Sequence, residues 1–95
     1  MIPTHRIPAH PGKILKEEFL DEMGLSQVAL AGHLDVPVQR INEIVRGKRG
    51  VTSDTAWRLA QALDTTPEFW LNLQTTFDLA VNKPEKTVPK LKKAS

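Results

Sequence analysis

With 95 residues, 40% of them hydrophobic, the chain has room for one compact domain whose small core helices fill more readily than a large sheet. There is no cysteine, so disulfides, thiolate zinc and a thiol nucleophile are excluded; with no apolar run near the ~20 residues of a membrane helix and no secretory stretch at Met1–Arg6, a soluble cytoplasmic protein is expected. The net charge of +2 is uneven: Val36 to Gly50 carries +3 and Lys83 to Lys93 carries +4, which leaves −5 elsewhere, two basic segments on an acidic body.

The first nine residues hold Pro3 and Pro8 without periodicity and read as an arm. His10-Pro11-Gly12 then opens a helix predicted over roughly 11 to 23, with Ile14, Leu15, Phe19 and Leu20 on one side and Gly24 as its stop. Ser26 is an N-cap for a short second helix through Leu30, Ala31 and Leu34, which ends at Asp35-Val36-Pro37. Pro37 begins a third helix whose buried stripe is Ile41, Ile44 and Val45, closed by Gly47. Thr52 or Ser53 caps a fourth helix, with Trp57 assigned to the core, and Thr66-Pro67-Glu68 starts a fifth that runs to about Val81. From Asn82 onward the composition cannot bury enough surface to order itself. The expected architecture is all-α: five helices over 10–81 and a basic tail over 82–95, with no strand alternation, repeat or second domain.

Function concentrates between Ser26 and Gly47. Two short helices joined by a tight turn, with small Ala31 at the crossing and Leu30, Leu34, Val36, Ile41 and Ile44 locking the angle, leave the outer face of the second free to enter a major groove. The run Leu25-Ser26-Gln27-x-x-Leu30-Ala31-x-x-Leu34-x-Val36-Pro37 resembles the Cro/repressor (XRE) helix-turn-helix. Asp35 departs from it, since such repressors usually place glycine there, but aspartate tolerates a positive φ better than most residues. Three further runs resemble the HigA antitoxin family: Arg40-Ile41-Asn42-Glu43-Ile44-Val45-x-Gly47-Lys48-Arg49, Asp54-Thr55-Ala56-x-Arg58-Leu59-Ala60 and Glu68-Phe69-Trp70-Leu71-Asn72-Leu73-Gln74.

Within that motif, Val38, Gln39 and Glu43 are expected to face base edges, with Pro37 and Asn42 at the margin and Arg40 within reach of a guanine. Gln27, Arg46, Lys48 and Arg49 are expected on phosphates. Phe69, Trp70, Leu73, Phe77, Leu79 and Val81 spread too widely around the fifth helix for one buried stripe, and are expected to form a homodimer interface that reads an inverted repeat of double-stranded operator DNA; burial within the domain is the alternative. The HigA resemblance implies a HigB/RelE-like toxin as second partner, a messenger-RNA-cleaving ribonuclease held inactive by this chain, and a nucleoid-associated autorepressor; a stand-alone repressor is the alternative. His5, His10 and His33 lack zinc spacing, Gly47-Lys48-Arg49-Gly50 is not a phosphate loop, and no catalytic constellation or cofactor motif is present. The tail lysines remain open among a solvated end, an arm on DNA and a toxin-binding segment.

Overall fold

The computed structural model describes residues 7–93. Most of the sequence-expected arm (1–6) and the last two tail residues (94–95) lie outside that range. Five helices are present and, among the described residues, no strand.

Helix α1 spans 11–23, with α-helical turns at Pro11–Ile14 and Asp21–Met23 around a π-type stretch at Leu15–Leu20. It begins as the proline-first pattern predicts, and the His10 imidazole Nδ1 caps it by accepting the Gly12 N–H at 2.9 Å. Gly24 (φ 63°) ends it in a Schellman closure, with Leu25 N–H donating to the Leu20 carbonyl. Helix α2 is Gln27–Leu34, capped by Ser26 Oγ on the Ala29 N–H at 3.0 Å. Its end repeats the Schellman closure with Asp35 as the left-handed residue (φ 58°), and Val36 N–H reaches the Ala31 carbonyl. Helix α3 is Val38–Val45, α4 is Ser53–Leu63 behind a Thr52 cap, and α5 is Pro67–Val81 behind a Thr66 cap.

The core lies where the five helices meet, around Leu15, Leu20, Leu30, Ile41, Ile44, Leu59 and Trp70. Trp70, expected at a dimer interface, is instead fully buried (0% exposed), and its indole N–H donates to Thr65 Oγ1 at 2.8 Å. Phe19 and Phe69 pack on its ring at centroid distances of 5.3 and 5.0 Å. Trp57, expected in the core, is 57% exposed. Both corrections have one cause: on α4 the buried positions are Thr55, Ala56, Leu59 and Ala60, and Trp57 projects from the far side of that stripe. Its place in the core is taken by Trp70 from the next helix. Leu73 packs partly buried against the core, and Phe77 is half-buried against His10, so Phe69, Leu79 and Val81 are the exposed members of the expected interface set. Among the described residues, no helix is long and apolar enough to cross a membrane.

Candidate nucleic-acid interface

Helix α3 buries Ile41 and Ile44 and turns Gln39, Asn42, Glu43 and Arg46 outward, three and four residues apart along one face. Its N-cap is Pro37, which offers no side-chain bond; the Arg40 N–H turns back to the Pro37 carbonyl at 3.0 Å, which leaves the N–H groups of Val38 and Gln39 for another acceptor. Both residues are exposed. The side chains of Val38, Gln39 and Asn42 enter no hydrogen bond within the described residues, and Arg46 and Lys48 enter no ion pair there. Gln27 stands half-buried at the start of α2.

Three contacts hold this face in place. Gly12 of α1 sits against the C-terminal end of α3 so closely that an added Cβ would lie 1.7 Å from the Ile44 carbonyl oxygen. Backbone therefore touches backbone, and only glycine fits. Next, Arg58 of α4 donates to the Leu34 carbonyl at 2.7 Å and pairs with Asp54 at 3.0 Å, while Asp54 faces Arg40 of α3 at 3.5 Å. This chain of charges joins the end of α2, α3 and the start of α4, so that the helix-turn-helix angle is tied as well as packed. Finally, Gln74 of α5 accepts the Val51 N–H at 2.7 Å and lies over Gly50, which anchors the far end of the loop after α3.

The structure thus brings Gln39, Asn42, Glu43 and Arg46 onto one face, and gives three of the expected DNA residues, Arg40, Glu43 and Arg49, partners within the protein. Arg40 is turned toward Asp54 on the flank of α3. The Glu43 carboxylate is held by Arg49 Nε at 2.9 Å and Nη2 at 2.8 Å, and its carbonyl accepts the Lys48 N–H. An exposed pair of this kind contributes only ~0–1 kcal/mol, so a base amino group and a phosphate can compete for its two halves. Sequence reasoning gave no part to Asp54, Arg58 or Gln74; the four-residue spacing of Asp54 and Arg58 is the one local signal of their pairing.

The helix-turn-helix family matches residues 15–70, which covers α2, α3 and α4 entirely. Among solved structures, the antitoxin GraA is 56% identical over 80% of this chain and 82% of its own, with a TM-score of 0.78. Antitoxin HigA of Pseudomonas aeruginosa, solved with the higBA promoter, is 47% identical over 78% of this chain and 80% of its own, with a TM-score of 0.77. This chain belongs to the HigA-type antitoxin family of helix-turn-helix proteins. The HigA family comprises DNA-binding regulators rather than enzymes. Relatives of this chain do not all carry the antitoxin name: virulence-associated protein I of Dichelobacter nodosus is 51% identical over 86% of this chain and 77% of its own length.

Proposed function

We propose that this protein is a cytoplasmic antitoxin that binds an inverted-repeat operator as a homodimer through α3, represses its own operon, and holds a HigB/RelE-like toxin inactive. The observation that carries the DNA reading is the outer face of α3. Gln39 and Asn42 are free there to pair with base edges, on a frame fixed by Gly12, Asp54 and Gln74, in a chain 47% identical to an antitoxin solved with its promoter. Arg46 and Lys48 flank that face and suit phosphates. Two copies are needed to read two half-sites about 34 Å apart, and Phe69, Leu79 and Val81 on α5 offer exposed apolar surface for their contact. Away from its basic segments the protein is acidic, with Glu17, Glu18 and Glu22 exposed on α1, which suits a basic toxin electrostatically.

The test is Gln39→Ala in the full chain. Affinity for DNA from upstream of its own gene is expected to fall by about 1–3 kcal/mol with binding to random-sequence duplex unchanged, and the variant still rescues cells expressing the neighbouring toxin. Equal losses on both duplexes refute base reading by this face. Absence of a toxin gene beside this one leaves a stand-alone repressor.

A further inference from the structure

The segment after α5 is chemically unlike the body. From Asn82 to Lys93 it forms no helix, every residue is exposed, and it carries Lys83, Lys86, Lys90, Lys92 and Lys93 against the single acid Glu85. Pro84 and Pro89 keep it extended, and its apolar residues, Val88 and Leu91, are isolated and exposed.

Its point of departure is what gives it meaning. The C-terminal half of α5 lies against the loop that follows α3: Gln74 binds Val51 and covers Gly50, and Phe77 meets the His10 ring edge-on at 4.9 Å. Gly47 lies against the same imidazole. Asn82 is five residues past Phe77, about 7.5 Å further along the helix axis. The tail therefore begins about one and a half helical turns beyond the side chains of α5 that meet His10 and the loop after α3. Fully extended, 82–93 reaches roughly 36–40 Å, about one turn of duplex.

We propose that residues 83–93 form a sequence-independent arm that follows the phosphate backbone beyond the half-site read by α3. This rests on the reading of α3 as the DNA-recognition helix. Phosphates fit the segment better than a protein surface does: protein interfaces are anchored by clustered aromatic and apolar side chains, which it lacks, whereas ammonium groups on flexible stems need only a line of negative charge.

The experiment uses the full chain with all five lysines changed to glutamine, and a second variant with all five changed to arginine. Binding is measured against salt on two duplexes, the region upstream of its own gene and a random sequence of equal length. Removing one lysine–phosphate pairing lowers the slope of log affinity against log salt by about 0.9, so removing two lowers it by about 1.8 and costs about 60-fold at 0.1 M salt. The glutamine variant is expected to weaken by at least this much, by the same factor on both duplexes, with the arginine variant restoring it. An unchanged slope overturns the proposal. So does a weakening confined to the upstream duplex, because phosphates are common to both. DNA binding that survives while toxin neutralisation disappears would make the segment a protein ligand instead. Failure of the parent chain to bind either duplex is distinguishable from all of these and overturns the DNA reading along with the arm.

Discussion

Gly12→Ala concentrates its whole effect on one contact. The new Cβ would lie 1.7 Å from the Ile44 oxygen, 2.6 Å from its carbon and 3.0 Å from Val45 Cα, all backbone atoms that no rotamer can move. To reach even a tight separation of 3.0 Å, the start of α1 and the end of α3 must part by about 1.3 Å. The Ile44 carbonyl cannot yield freely, because it accepts the Gly47 N–H at 3.0 Å and the Ile44 side chain is fully buried. Overpacking of this kind costs about 1–3 kcal/mol, and loosening one backbone hydrogen bond adds about 1. The better helix propensity of alanine offsets about 0.5–1, which leaves roughly 1–3.5 kcal/mol. For a domain of this size that lowers Tm by roughly 5–25 °C in thermal unfolding followed by circular dichroism. Gly32→Ala is the control: nothing lies within 4 Å of its would-be Cβ in mid-α2, and it is expected to gain about 0.5–1 kcal/mol. If Gly12→Ala melts with the parent, or Gly32→Ala falls as far, the backbone contact does not set the position of α3.

Arg46→Ala and Lys48→Ala should each lower the salt slope of DNA binding by about one unit, alike on operator and random duplex; a slope that stays put takes them off the phosphates. Trp70→Ala should cost about 3–5 kcal/mol in urea unfolding and Trp57→Ala less than about 0.5, an order that a buried Trp57 would reverse. Burial holds the His10 imidazole below the ordinary histidine range, with the Asp78 charge partly opposing, and its Nδ1 must stay unprotonated to cap α1. The folded state therefore binds fewer protons at this group than the unfolded chain does. The stabilisation is complete above the unfolded value of about 6.5 and is lost as pH falls through the lower folded value. The urea midpoint should drop between about pH 7.5 and pH 5, and His10→Asn, which keeps a capping side chain, should flatten that drop.

Helix ends were legible because their signals are local. Ser26 and Thr66 cap as their positions predict, Thr52 caps where the sequence left Thr52 or Ser53 open, Gly24 and Gly47 take positive φ, and Asp35 fills the left-handed turn position where repressors usually carry glycine. Asp64 does the same at the end of α4. The two tryptophans were not legible. An apolar residue on a helix is compatible with several faces until the neighbouring helix is placed, and among the described residues Trp70 of α5 is the aromatic ring buried in the core. The outward set on α3 followed from the Ile41 and Ile44 stripe, but the partners of its charged members did not. Arg40 meets Asp54 across fourteen residues, and Glu43 meets Arg49 only because Gly47 turns the chain back.

The contacts that hold α3 and the side chains that face outward from it share almost no atoms. Gly12, Asp54, Arg58 and Gln74 do their work without Val38, Gln39 or Asn42, none of which is bonded through its side chain to the rest of the described protein. Address and chassis are thus separately heritable. On the proposed reading of α3, a duplicated gene could change positions 38, 39 and 42 to read a different operator while the contacts of Gly12, Asp54, Arg58 and Gln74 keep the helix in place. Changes at 12, 54 or 74 would instead shift α3 itself, because the contacts made there set where the helix stands.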